Sequence, residues 1–110
     1  MLERIAQVTH AQLRDVDIIG RYGGEEFVIV LPVTNAQKAC LLSQRILDSV
    51  SAIHLHTDRG TASVTLSIGI AETIHAPQDE SVESVIRRAD EAMYAAKQAG
   101  RNRAVIFDAK

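Results

Sequence analysis

The chain has 110 residues, 46% of them hydrophobic and 24% charged, with 12 Lys and Arg against 14 Asp and Glu for a formal net charge of −2. That length reads as one domain, long enough to bury a core. The slightly acidic balance excludes bulk binding to duplex DNA, whose partners are strongly basic, and leaves room for a local basic pocket that takes a nucleotide.

No apolar run is long enough to span a membrane. The opening "MLERIAQ" carries charges where a signal peptide needs an apolar segment, so a cytoplasmic location is expected. A single cysteine, Cys40, has no internal partner, which fits a reducing compartment. It reads as a small buried hydrophobe in a helix.

Residues 2–16 carry Leu2, Ile5, Ala6, Leu13 and Val16 at helical spacing, with Thr9 in the same stripe. "DIIGRY" reads as a short strand. "EFVIVLP" reads as a second strand, apolar on both faces, with Phe27, Ile29 and Leu31 on one and Val28 and Val30 on the other. Such a strand belongs between two covering layers, and Pro32 ends it. Next comes a helix over residues 34–53, capped by Thr34 or Asn35, whose stripe is Ala39, Leu42, Ile46, Val50 and Ile53. "HLHTDRGTA" reads as a polar loop, and "SVTLSIGIA" alternates as a strand. After the loop "ETIHAPQDE", Ser81 caps a long helix with Glu80 and Glu83 at its positive end. Its stripe is Val82, Val85, Ile86, Ala89, Met93 and Ala96, and Gly100 suits its C-terminal cap. "RAVIF" closes as a strand. The order helix, strand, strand, helix, strand, helix, strand predicts an α+β fold, helices packed on a sheet.

The stretch "RYGGEEF" raises the chemical question. A Gly-Gly pair between strands suits a tight turn with positive φ, and glycines also let a backbone approach a ligand. Adjacent carboxylates repel unless a cation sits between them, and Mg²⁺ takes carboxylate oxygens together with phosphates. By residue type alone, a metal and phosphate site and a solvated hairpin stand level. Lys97 and Arg101, four apart at a helix end, can face one anion or simply favour the helix dipole. His10, His54, His56 and His75 form no helix-spaced metal pair and are assigned no role.

"RYGGEEFVIVLP" resembles the signature loop of the GGDEF family, the diguanylate cyclases, in its GGEEF variant. "VTLSIGIA" and "RADEAMYAAKQAGRNRAVIF" resemble two further family blocks, in family order and spacing, so the likeness covers nearly all of residues 1–110. The resemblance implies a fold like the palm of nucleotide cyclases and polymerases. It also implies condensation of two GTP into cyclic di-GMP with release of two pyrophosphates. By the same resemblance, Gly23 and Gly24 let the backbone approach GTP. Glu25 and Glu26 are the catalytic acids that hold Mg²⁺ or Mn²⁺, and Lys97 and Arg101 bind the terminal phosphates. "RDVD" stands five residues before "GGEEF", at the distance of the family's RxxD inhibitory motif. Arg14 and Asp17, with Arg45 on the next helix, are thereby implied as a site for cyclic di-GMP. Implied partners are a second GGDEF domain in a homodimer and an upstream sensory or receiver domain.

The family's opening strand "DxDxFKxxND" and turn "GHxxGD" have no match here. The resemblance therefore implies a partial domain without the first metal aspartate, a phosphate-binding lysine and the guanine-reading Asn and Asp, and so little or no turnover. The absent strand would lie between "EFVIVLP" and "SVTLSIGIA". The two edges are expected to close on each other, to pair with another copy, or to mark a fragment of a longer protein. Two other readings are kept open: a non-catalytic receptor for cyclic di-GMP, and a dimerisation module in a signalling protein.

Overall fold

A computed structural model describes residues 2–24, 26–57, 60–73 and 81–107. The expected α+β architecture is present. The elements run α1 (Leu2–His10), β1 (Ile18–Gly23), β2 (Glu26–Val30), α2 (Ala36–Ser51), β3 (His54–Thr57), β4 (Gly60–Ser63), β5 (Ser67–Ile70), α3 (Val82–Gln98) and β6 (Arg103–Ile106).

Helix α1 is shorter than its apolar stripe predicts. It buries Ile5 and Thr9 against α2 but stops at His10, and Val16 is exposed. The cause is local. The Arg14 amide donates to Asp17 Oδ2 at 2.8 Å, and the Asp17 amide donates to the Arg14 carbonyl. A side chain that captures a backbone N–H in this way competes with helix propagation.

Strands β1 and β2 pair antiparallel, with Ile18 opposite Val30, Ile19 opposite Ile29 and Arg21 opposite Phe27, and with a register shift between Arg21 and Gly23. Ile29 and Leu31 reach the core, as expected of that face. The opposite face departs from expectation. Val30 and its partner Ile18 are 49% and 62% exposed, so the hairpin is covered on one side only among the described residues.

Helix α2 is the centre of the packing. Asn35 caps it, accepting from the Lys38 amide at 2.9 Å, and Glu72 Oε1 accepts from the Ala36 amide at 2.6 Å. Ile46 and Val50 join Ile5 and Ile53 in one cluster, with Ile29 and Ile68 packed on it. Ala36 and Ala39 join Ile70 in a second, with Leu31 and Cys40 alongside.

The stretch expected to be a polar loop contains a hairpin instead. β3 pairs antiparallel with β4, from His54 opposite Ser63 to Thr57 opposite Gly60. A backbone ladder needs no apolar side chain, and polarity alone hid it. Gly60, at φ +117°, takes a conformation open to glycine. The strand expected over 63–71 begins its ladder only at Ser67, because Ser63 ends β4 and residues 64–66 carry no pairing.

β5 pairs in parallel with β6, and α3 supplies the crossover that a parallel pair requires. Ser81 caps α3 as predicted, accepting from the Ser84 amide at 3.1 Å. Ala92 and Ala96 are buried, while Val82, expected in the stripe, is 72% exposed at the first turn. Gly69 lets α3 sit directly on β5, since a Cβ there would overlap the Ala89 carbonyl oxygen and the Met93 amide.

The expected closure of β2 on β5 is not found. Among the described residues β2 pairs with β1 and β5 with β6, in separate two-stranded sheets. Ile29 of β2 and Ile68 of β5 each pack on the same cluster, to which α2 contributes Ile46 and Val50.

Candidate functional site

Two regions hold the residues singled out by the sequence. The first is the tip of the β1–β2 hairpin. Gly23 is paired with Glu26, and Gly24 follows at the tip. Glu25 itself lies outside the described residues. Neither Gly23 nor Gly24 has the positive φ predicted for the pair. A Cβ at either would meet nothing within 4 Å, so both stand beside open space and neither is required by its described neighbours. Arg21 braces the turn. Its Nη2 donates to the Gly24 carbonyl at 2.6 Å and its Nε at 3.2 Å, and the guanidinium lies 6.0 Å from the centre of the Phe27 ring. Sequence reasoning gave Arg21 no role, although its place two residues before the glycines was the available signal.

Glu26 and Tyr22 form one wall of a cavity of about 430 Å³, and Glu83, Ile86, Arg87 and Asp90 of α3 form the other. Among the described residues no group of three or more His, Cys, Asp and Glu is placed to hold a metal ion. Lys97 and Arg101 line neither this cavity nor the next one. They are also not a helical pair. Lys97 is in the last turn of α3, whereas Arg101 lies beyond a Schellman turn in which the Gly100 amide donates to the Lys97 carbonyl and the Arg101 amide to the Ala96 carbonyl. Gly100 sits at φ +122°, and Arg101 and Asn102 follow at +64° and +48°. Arg101 is thus presented by the bend and not by the helix face.

The second region is built around Arg14, and here the structure brings Arg14, Asp17 and Arg45 together. All three line a cavity of about 170 Å³ with Thr34, Lys38 and Leu42. Arg14 is held on several sides. Nη2 donates to Asp17 Oδ1 at 2.7 Å, to the Pro32 carbonyl at 2.9 Å and to Thr34 Oγ1 at 2.9 Å, while Nε donates to both Asp17 oxygens. The Asp17 side chain is only 2% exposed and that of Arg14 is 53% exposed. The hydrogen bond from Arg14 holds the Asp17 carboxyl below the usual carboxylate range against the opposing effect of desolvation, and reciprocally raises the guanidinium. The seat costs backbone comfort. Val33, between the two groups that accept from Arg14, is a β-branched residue at φ +50° and fully exposed. Thr34 was weighed only as a helix cap. Asn35 takes that role, which frees Thr34 Oγ1 for Arg14.

No helix of the described residues is long and apolar enough to cross a membrane.

The sequence profile of the family described as diguanylate cyclase, GGDEF domain, matches residues 1–103. The chain is 38% identical over 106 residues to diguanylate cyclase A of Treponema denticola, covering 96% of this chain and 28% of that protein. Among the other curated relatives it spans 36% of diguanylate cyclase DgcZ of Escherichia coli. Two solved structures share the fold. The active GGEEF domain of a diguanylate cyclase from Vibrio cholerae matches with a TM-score of 0.87 and 30% identity, over 99% of this chain and 67% of that one. The GGDEF domain of DgcB from Caulobacter crescentus, solved in complex with c-di-GMP, matches with a TM-score of 0.86 and 32% identity, over 96% of this chain and 61% of that one.

Proposed function

This chain belongs to the diguanylate cyclase GGDEF domain family, and from that premise we propose that it is the part of a diguanylate cyclase that carries the catalytic turn and a product-binding site. The reaction joins two GTP molecules. The 3′-hydroxyl of each attacks the α-phosphate of the other, two P–O bonds form, and two pyrophosphates leave. Glu25 accepts the hydroxyl proton. Glu25 and Glu26 offer the hard carboxylate oxygens that fit Mg²⁺ or Mn²⁺, and the ion, when bound, neutralises charge on the phosphates. Gly23 and Gly24 give the phosphates close access to backbone amides. Lys97 and Arg101 hold the terminal phosphates, Lys as a point charge and Arg as a fork.

What carries this reading is the hairpin tip, which is braced by Arg21 and open where the glycines stand. Each domain presents one GTP, so a second GGDEF domain faces this one, and an upstream sensory or receiver domain governs their meeting. Counterparts of the first metal aspartate and of the guanine-reading groups are not found in these 110 residues. Little or no turnover by the chain alone is therefore expected. Cyclic di-GMP formed by it from GTP and Mg²⁺, and lost in Glu25→Gln, would overturn that expectation.

Arg14, Asp17 and Arg45 form the inhibitory site for cyclic di-GMP. The arginine fork suits phosphate oxygens and stacks on a purine. Calorimetric titration of cyclic di-GMP into the chain tests this, with Arg14→Ala as control. Binding that disappears in the variant supports the site, and a folded chain that binds nothing refutes it. The completeness of this pocket also favours a second reading, a non-catalytic receptor, which the same titration supports if turnover is absent in every context tried.

A further inference from the structure

The wall that α2 contributes to the Arg14 cavity carries more charge than the Arg14, Asp17 and Arg45 assignment uses. Lys38, Leu42 and Arg45 all line the cavity, and their spacing is that of one helix face. Arg14 brings little free charge to it, because Asp17 neutralises it and its Nε and Nη2 are committed to Asp17, Pro32 and Thr34. Among the described residues neither the Lys38 nor the Arg45 side chain has a hydrogen-bond acceptor. The electropositive character of the cavity therefore rests on α2.

Lys38 is also out of place for the helix that carries it. It stands in the first turn of α2, whose first turn holds no acidic residue. A cation there opposes the helix dipole, at a cost of about 0.3–1 kcal/mol. Glu72, which accepts from the Ala36 amide, relieves the helix end but does not line the cavity. An anion in the cavity would meet Lys38 and the positive end of α2 together, which turns the local penalty into attraction. Lys38 and Arg45 are about two turns apart, or about 10 Å along the axis, a separation suited to a ligand with two distinct anionic groups.

We propose that Lys38 is a ligand-binding residue of this pocket. It takes one phosphodiester of a cyclic dinucleotide while Arg45 takes the other, and the pre-seated Arg14 fixes the ligand's register. The proposal rests on the reading of the pocket as a cyclic di-GMP site and adds a residue that contributes to its affinity.

The test is a titration of cyclic di-GMP into the chain and into Lys38→Ala, Lys38→Arg and Arg14→Ala, each at low and high salt. Lys38→Ala is expected to bind about tenfold more weakly, with a shallower dependence on salt, and Lys38→Arg to keep most of the affinity. Unfolding does not confound this result, because removing a cation from the first turn of α2 is expected to leave Tm unchanged or raise it. Wild-type affinity and salt dependence in Lys38→Ala, with binding lost in Arg14→Ala, would overturn the proposal and leave the pocket reading intact. An absence of binding by the unaltered chain would overturn both.

Discussion

The Arg14 pocket and the hairpin tip differ in how much of each is finished within the chain. Around Arg14 the Nε and Nη2 of the guanidinium have partners, the paired carboxylate is nearly sealed from solvent, and α2 closes one wall. At the tip the backbone is braced by Arg21, but the glycines face open space, and Lys97 and Arg101, proposed to hold phosphates, do not line the cavity beside it. The pocket is built by its own neighbours, whereas the tip is an open, presented surface. On the proposed roles, the contrast is that between a local site for a finished product and a site left open to a second molecule.

The most damaging way to break this contrast acts on the frame. Gly69→Ala forces a methyl against the backbone of α3, and we expect a loss of about 3 kcal/mol in urea unfolding. Hydrogen exchange should then rise in α3 and β5 before it rises in α2. Arg14→Ala is expected to weaken cyclic di-GMP binding about 100-fold by calorimetry, while Glu26→Gln at the other region changes it less than about twofold. Parallel losses in both variants would show that the two regions are not independent. Val33→Gly relieves a left-handed β-branched residue and is expected to stabilise the chain by about 1 kcal/mol, read as a rise in Tm. The smallest effect is that of pH. Asp17 has a folded pKa below its unfolded value of about 3.9, so the stabilisation from its pairing is complete above that value. It is lost as pH falls through the lower folded pKa. As pH falls below about 4, the Tm of the unaltered chain should fall slightly more steeply than that of Asp17→Asn.

Much of this was legible in the residues. The stripe of α2, that of α3 beyond Val82, the cap at Ser81, one of the two caps offered for α2 and the glycine after α3 depend on local chemistry, and the structure repeats them. The Arg14, Asp17 and Arg45 grouping was legible only through the resemblance to the family's motif, and the structure lines one cavity with all three. Other features depended on choices between competing interactions. The apolar stripe of α1 ran on to Val16, but Asp17 took the backbone N–H that a longer helix needed. The β3–β4 hairpin was hidden because its ladder is made by groups that every residue carries. Lys97 and Arg101 had helical spacing, yet the Schellman turn between them ends the helix and re-aims Arg101. The glycines at the tip read as a positive-φ turn, yet neither has positive φ and neither is crowded by its described neighbours.

Cys40 is the one cysteine of the chain, half-buried on α2 and packed beside Leu31, which itself lines the Arg14 cavity. The molecule therefore carries a natural chemical reporter behind its best-built pocket. A thiol reagent reaches Cys40 at a rate set by its partial exposure and by how far α2 moves against the end of β2 at their seam. The labelling rate, measured with and without a nucleotide, becomes a clock for that seam without any engineered probe.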